Sequence, residues 1–301
     1  VTVPGRLRVG FLGLGAIGRP IAAHLARSHE LTVWNRTTAR AESFAADTGA
    51  GLAATPKAAG AGREVVFTCL PNSPELEAVL AGPDGLEAGL SRGALLIDLT
   101  SGMPGASRRI AERLAGKGVG FVDAPVSGGV AGAEAGTLTI MVGGNEADVA
   151  RALPVLQAFG KRIVPVGPVG AGHALKAVHN ALIAVNIFAL GEGLTALAKA
   201  GVAPAAALDV INNANGRSFV SERLVPERVL TGLWPRTFRL ALLDKDVDIA
   251  VGLAAEQGID APLLGAVSGL LHEAHRELGE EADHVEAIRL HERRAGVELR
   301  A

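Results

Sequence analysis

Val9-Gly10-Phe11-Leu12-Gly13-Leu14-Gly15-Ala16-Ile17-Gly18 is an apolar run that breaks into G-x-G-x-x-G, and residues 20–27 beyond it have helical spacing. Glycine makes up 39 of 301 residues, so about 0.6 matches to a bare pattern of this kind are expected by chance. The flanks therefore carry the weight. A strand, a glycine turn, a helix and a second apolar run at 31–34 make a β-α-β unit. In that setting Gly13 permits the tight turn, Gly15 lets a backbone approach a pyrophosphate, and Gly18 lets helix and strand pack closely. Ala16 and Ile17 lie between them, where the helix amino terminus offers unpaired N–H groups and a partial positive charge.

Working outward, apolar runs at 7–12, 31–34, 65–70, 95–99, 120–123, 137–142 and 162–166 alternate with helix-like stretches such as 20–27, 38–47 and 105–116. This alternation predicts an α/β domain with a doubly wound parallel sheet over residues 1–167. From residue 168 onward helix-like runs dominate, at 173–199, 203–212, 240–257 and 261–278, which predicts an all-α domain over 168–301. The proline- and glycine-rich stretch 164–170 marks the hinge. The sequence shows no internal repeat of solenoid period and no low-complexity tract.

Hydrophobic residues make up 49% of the chain and charged residues 20%, ample for two packed cores. A net charge of -2 argues against nucleic acid or an anionic membrane surface as partner. The apolar stretch 181–190 is interrupted by Asn186 and followed by Glu192, so it reads as too short and too polar to span a membrane. Residues 1–8 hold no apolar signal core, and a single cysteine, Cys69, fits a reducing cytoplasm. Cys69 ends an apolar strand-like run and reads as a core thiol rather than a nucleophile.

The end of the second strand bears on which dinucleotide binds. The run ends Trp34-Asn35-Arg36-Thr37, with no acid before Glu42 to take a ribose 2′-hydroxyl. Arg36 can make forked, charge-assisted hydrogen bonds to a 2′-phosphate, and Asn35 and Thr37 can add neutral ones. NADP(H) is the expected cofactor, with NAD(H) as the other possibility if Arg36 is an ordinary surface arginine. Leu70 and Pro71, after the third long strand run, are expected to line the cofactor groove.

A second motif lies about 160 residues further on, Gly170-Ala171-Gly172-His173-Ala174-Leu175-Lys176-Ala177-Val178-His179-Asn180. A glycine turn opens a helix on which Lys176 and Asn180 stand one turn apart on the same face. Carbonyl reduction needs a hydride on carbon and a proton on oxygen; a nicotinamide supplies the first, and Lys176 is the candidate for the second. Spacing alone leaves open a solvated lysine. An unperturbed lysine titrates near pH 10, at about 10.4, so oxidation would need burial, nearby positive charge or alkaline conditions.

From Gly10 to Ala250 the chain resembles the β-hydroxyacid dehydrogenase family through four motifs in order. Residues 11–20 are similar to its amino-terminal signature, with Ile17 and Ile21 where methionine is usual. Asp123-Ala124-Pro125-Val126-Ser127-Gly128-Gly129 with Gly136-Thr137-Leu138-Thr139 resembles its substrate loop. Gly170, Gly172, Lys176 and Asn180 match its catalytic helix, and Phe238 through Lys245-Asp246 its carboxyl-terminal motif. The resemblance implies a Rossmann-type domain, a long interdomain helix, an all-α domain, and a homodimer or homotetramer. It implies Lys176 and Asn180 as catalytic residues, and Ser127, Gly128, Gly129 and Lys245 around a substrate carboxylate, with Phe238 as a wall of the pocket. Asp246 is grouped with the cofactor residues, or orients a neighbour. Ser101 follows the strand at 95–99 and is placed near the ribose or nicotinamide, although the family's Ser-Thr order is reversed here as Thr100-Ser101. Asn35-Arg36-Thr37 is similar to the NADPH-using semialdehyde reductases of the family.

The expected function is thus NADPH-preferring interconversion of small carboxylated semialdehydes and hydroxyacids. The competing readings are a non-catalytic NADP-binding interaction module, against which Lys176 and Asn180 speak, and an imine reductase, which typically carries Asp or Tyr at the position of Lys176. A 6-phosphogluconate dehydrogenase would need a longer helical domain. His173 and His179 flank Lys176 at other helical angles, and His272 and His275 stand three apart without a Glu or Cys cluster to complete a metal site. Residues 291–294 read as a solvated tail helix.

Overall fold

The computed structural model describes residues 5–300. The chain forms two compact units, divided between Lys176 and Ala177. In the first, β1 (Arg8–Leu12), β2 (Glu30–Trp34), β3 (Gly51–Leu52), β4 (Val65–Thr68), β5 (Leu95–Asp98), β6 (Gly120–Asp123), β7 (Val126–Ser127), β8 (Leu138–Gly143) and β9 (Gly160–Gly167) make one sheet. Strands β3-β2-β1-β4-β5-β6 are neighbours in that order and all parallel. They are buried on both faces, which is why β1, β4 and β5 read as continuous apolar runs rather than alternating ones. One face packs Phe11, Phe67 and Phe159 among Val9, Leu25 and Ile97, with the rings of Phe11 and Phe67 stacked at 5.9 Å. The other packs Leu12, Val66 and Leu96 against Leu76, Leu80 and Ile110. Each fully buried side chain of this size contributes about 1.5–3 kcal/mol.

The strand order reverses at β1, so the crevice between β1 and β4 is the topological switch point where α/β sheets bind ligands. Leu12 pairs with both Trp34 and Thr68, so Gly13, Asn35 and Cys69 leave the sheet at the same edge.

Three expectations need correction. The sheet is mixed: β8 runs antiparallel to β6 and β7 and parallel only to β9. The chain returns from Ser127 through the seven-residue helix Gly129–Ala135, too short a connection for a parallel crossover. Second, the apolar stretch at 181–190 is only the middle of a 29-residue helix, Ala171–Lys199, with an 18-residue window of mean hydropathy 1.8. By length and composition this helix could cross a membrane. Its Ala181, Ala184, Ile187, Phe188 and Leu194 are buried in the core of the second unit.

Third, the tail is docked rather than solvated. Ile288 and Leu290 of helix Ile288–Ala295 are buried, as is Leu299 after it. Buried Glu292 accepts the Leu299 N–H at 2.7 Å and an Arg300 N–H at 3.1 Å. The second unit is otherwise helical, with Pro204–Asn212, Leu240–Glu256 and Pro262–Leu278 as its regular helices. Between them Val220–Val229 winds as a π-helix, its wide turn closed by Leu230 N donating to Val225 O at 3.0 Å.

Candidate active site

The glycine loop has the shape its sequence predicts. Gly13 adopts φ +106°, and a Cβ there would strike the Cys69 carbonyl; a Cβ on Gly18 would strike the Gly13 carbonyl. Gly15 is different: a Cβ added to it meets nothing within 4 Å. The fold itself does not need glycine at 15, but a phosphate approaching the backbone does. Helix Gly18–Ser28 starts immediately after, and its first-turn N–H groups have no partner within the helix. These residues fit a dinucleotide pyrophosphate.

Asn35 has a job that spacing did not reveal. Its Oδ1 accepts the Leu14 N–H at 2.9 Å and its Nδ2 donates to the Thr37 carbonyl at 3.0 Å. It pins the glycine loop to the end of β2. Arg36 and Thr37 are exposed. Arg36 Nη1 lies 2.7 Å from Glu75 Oε2 and 3.0 Å from Oε1. The sequence had no acid near Arg36; the fold brings one from 39 residues away, in the first turn of helix Ser73–Leu80.

The loops after β4 and β5 are tied together by a buried carboxylate. Asp98 Oδ1 accepts Thr68 Oγ1–H at 2.8 Å and Thr100 N–H at 3.1 Å, while Thr100 Oγ1 accepts the Leu70 N–H at 3.2 Å. Thr100 is buried and spent on this lattice, leaving half-buried Leu70 and Ser101 and exposed Pro71 at the rim. Burial, with Asp98 nearby adding to it, pushes the Cys69 thiol up to about 12, which suits a core thiol.

A further buried cluster was not legible. Asp123, at the end of β6, accepts Gly170 N–H at 2.7 Å and His173 N–H at 2.9 Å. It caps the long helix at its start. His173 is 1% exposed; its Nδ1 lies 2.7 Å from Ser107 Oγ and its Nε2 3.7 Å from Asp98 Oδ2. His173 stands three residues before Lys176 on the same helix, and its buried contacts with Ser107 and Asp98 give it a structural setting that spacing alone did not reveal. A polar residue on an apolar helix just past a glycine turn was the available signal.

Lys176 is 9% exposed, which removes the solvated-lysine reading. In the second unit Asn180 is 2% exposed, and its Nδ2 donates to Asp246 Oδ2 at 2.6 Å. Asp246 Oδ1 lies 2.7 Å from Lys245 Nζ. Asp246 thus orients both an amide and an ammonium. Phe238 stands edge-on to His284 with centroids 5.4 Å apart, and its N–H donates to Asp283 at 3.0 Å, so its ring belongs to the helical core. In the first unit Ser127 is half-buried and paired with Thr139, followed by exposed Gly128 and Gly129 at φ +136° and +64°. The backbone of that turn is one only glycine adopts without strain.

Residues 8–167 match the NAD binding domain of 6-phosphogluconate dehydrogenase. Residues 170–291 match the NAD-binding domain of NADP-dependent 3-hydroxyisobutyrate dehydrogenase. The chain is 35% identical over 295 residues to 2-(hydroxymethyl)glutarate dehydrogenase of Eubacterium barkeri, covering 97% of each. It is 32% identical to 2-hydroxy-3-oxopropionate reductase of Escherichia coli, covering 94% of this chain and 98% of that one. Among solved structures, Mycobacterium tuberculosis 3-hydroxyisobutyrate dehydrogenase with L-serine superposes with a TM-score of 0.87 at 29% identity, covering 95% and 99% of the two chains. With the motifs in order, the switch-point glycine loop and both units matched, the chain belongs to the β-hydroxyacid dehydrogenase family of NAD(P)-dependent oxidoreductases.

Proposed function

We propose that this enzyme reduces small carboxylated aldehydes with NADPH, and in reverse oxidises the corresponding hydroxyacids, with Lys176 as general acid and base. The observation that carries the reading is a buried lysine one helical turn before a buried asparagine whose amide nitrogen is committed to Asp246. With one Nδ2 hydrogen held by Asp246, the amide is oriented so that Asn180 Oδ1 can accept a hydrogen bond from the lysine ammonium or from a substrate hydroxyl. A bound nicotinamide supplies the hydride to the carbonyl carbon. Lys176 Nζ gives its proton to the carbonyl oxygen as that oxygen becomes a hydroxyl. Gly15, Ala16, Ile17 and Gly18 would hold the pyrophosphate, with Leu70, Pro71 and Ser101 bordering the groove. Ser127, Gly128, Gly129 and Lys245 are the proposed carboxylate-binding groups.

The NADPH preference rests on Arg36. Its partner Glu75 is a competitor, but the pair is exposed and worth about 1 kcal/mol or less, so a 2′-phosphate can displace it.

Loss of NADPH absorbance on mixing with glyoxylate, succinic semialdehyde, tartronate semialdehyde and the aldehyde of 3-hydroxyisobutyrate, run beside NADH, tests the reading. Turnover with one of them supports it; tight NADPH binding with no turnover on any favours the binding-module alternative. Lys176→Ala should keep NADPH binding and lose on the order of 10²–10⁴ in kcat; comparable turnover would remove the lysine from proton transfer. Arg36→Asp should move the NADPH/NADH ratio of kcat/KM toward NADH, and an unchanged ratio would take Arg36 out of the phosphate site.

A further inference from the structure

On the second unit, helices Leu240–Glu256 and Pro262–Leu278 bring His272 together with Asp244 and Asp248, which are on the same helix as Lys245 and Asp246. Each offers a ligand atom, and the three atoms lie within 4.8 Å of one another. Sequence spacing showed only two histidines three apart; the helix pairing adds two aspartates, four apart on the facing helix.

The hydrogen bonding around these groups is unbalanced. Asp244 Oδ2 is held by His275 Nδ1 at 2.9 Å, and the other nitrogen of His275 lies 3.1 Å from Glu280. Asp248 Oδ1 accepts Ser268 Oγ–H at 2.8 Å. The remaining oxygen of each carboxylate turns toward the same atom, His272 Nε2, at 3.0 Å for Asp248 Oδ2 and 3.4 Å for Asp244 Oδ1. One imidazole N–H satisfies one acceptor well, and it goes to Asp248. Asp244 is 7% exposed, and its Oδ1 is buried with no hydrogen-bond donor among the described residues. An orphaned buried carboxylate oxygen is costly, and a cation among the three groups would satisfy it.

We propose that Asp244, Asp248 and His272 bind a divalent transition-metal cation with the coordination preferences of Zn²⁺. Two carboxylates and a neutral imidazole balance a 2+ charge. One nitrogen and two oxygens at bond lengths of about 2.0–2.2 Å suit zinc-like ions, whereas Ca²⁺ and Mg²⁺ want six or more oxygens. Tetrahedral bonds of that length put ligand atoms about 3.4 Å apart, close to the 3.0 and 3.4 Å that separate His272 Nε2 from the two carboxylate oxygens. Ser268 and His275 occupy the second oxygens and fix both carboxylates, as outer partners of metal ligands do. Asp248 and His272 are about half exposed, leaving a fourth position open to water.

The test is titration of the untagged, chelator-stripped enzyme with Zn²⁺ against a chromophoric indicator, repeated with His272→Gln, Asp248→Asn and Ser268→Ala. Expected are one site per chain, a loss of affinity of about 100-fold or more for either ligand variant, and about tenfold for Ser268→Ala. Saturating Zn²⁺ should raise the unfolding midpoint of the wild type by at least about 3 °C and leave His272→Gln unmoved. Co²⁺ should give the visible absorption of a tetrahedral ion in the wild type only. Melting in chelator checks that the variants fold, and substitution at these two exposed positions should leave it unchanged. Binding of equal strength in wild type and both ligand variants, or no stoichiometric binding, would overturn the assignment.

Discussion

Asp123 in the first unit and Asp283 in the second are both buried, and both close the start of a helical segment with backbone hydrogen bonds, yet their acidities move in opposite directions. For each, burial is the largest influence and raises the pKa. Asp123 has two backbone N–H donors, from Gly170 and His173, and the charge of His173 to set against it; burial wins, and its carboxyl sits above the usual range. Asp283 has His284 on Oδ1 at 3.0 Å, Thr237 N–H, Thr237 Oγ1–H and Phe238 N–H on Oδ2 at 2.8–3.0 Å, and Arg228 and Val285 N–H on Oδ1 at 3.1 and 3.2 Å. Together they outweigh burial and hold it far below the carboxylate range. Burial alone does not set an acid's strength; the number and charge of the donors around it determine how far burial is offset.

The largest expected effect follows from Asp283. Asp283→Ala strands a half-buried arginine and several N–H groups, and should cost the second unit about 3–5 kcal/mol. The chain has two tryptophans, Trp34 in the first unit and Trp234 in the second, so urea unfolding followed by Trp234 fluorescence in a Trp34→Phe background reads this unit. Because the folded carboxyl is depressed, its stabilisation is complete above the unfolded value of about 3.9 and is lost as pH falls toward the folded value. The wild type should therefore weaken steadily below about pH 4, and Asp283→Ala should flatten that limb. A variant within about 1 kcal/mol of wild type would mean that the donors around Asp283 find water instead.

Asp123→Asn sharpens the other side of the comparison. The raised carboxyl contributes stability that is full below the unfolded pKa and is lost as pH rises through the folded one, so at neutral pH its charge works against folding. The amide relieves that charge but can accept only one of the two N–H groups, for a net cost of about 1 kcal/mol. Trp34 fluorescence in a Trp234→Phe background is the readout. A loss as large as that of Asp283→Ala would show that capping, not charge, dominates at Asp123.

The same contrast explains what was legible in the sequence. Strand β6 falls on the expected residues, and β1, β2, β4 and β5 fall within two residues of them, because double burial writes a run of apolar residues between polar and glycine breaks. The glycine loop was legible because the close approach of Gly18 to Gly13 is set within six residues, although the Cys69 carbonyl that crowds Gly13 comes from beyond β4. The two-residue strands β3 and β7 were missed, since pairs that short leave no period. The antiparallel return of β8 was missed because alternation says nothing of direction. The partners of the polar residues lie far along the chain: Glu75 for Arg36, Gly170 for Asp123, Asp244 and Asp248 for His272. Residue type announces a polar group, but only tertiary packing says what it is for.

Asn35 is a third anchor of this kind, neutral and half-buried, and the smallest effect belongs to it. Read from spacing it was a neutral ligand for a 2′-phosphate; in the fold its oxygen holds the Leu14 N–H and its nitrogen the Thr37 carbonyl. A group that holds the loop serves both dinucleotides alike, because both share the pyrophosphate. Asn35→Ala should cost about 1 kcal/mol, roughly a fivefold rise in Kd, for NADPH and NADH together. Arg36→Asp should separate the two cofactors instead. Quenching of Trp34, adjacent to Asn35 at the end of β2, gives both dissociation constants. If Asn35→Ala weakens NADPH alone, the asparagine belongs to the phosphate after all, and the distinction between groups that hold the cradle and groups that read its contents fails at this position.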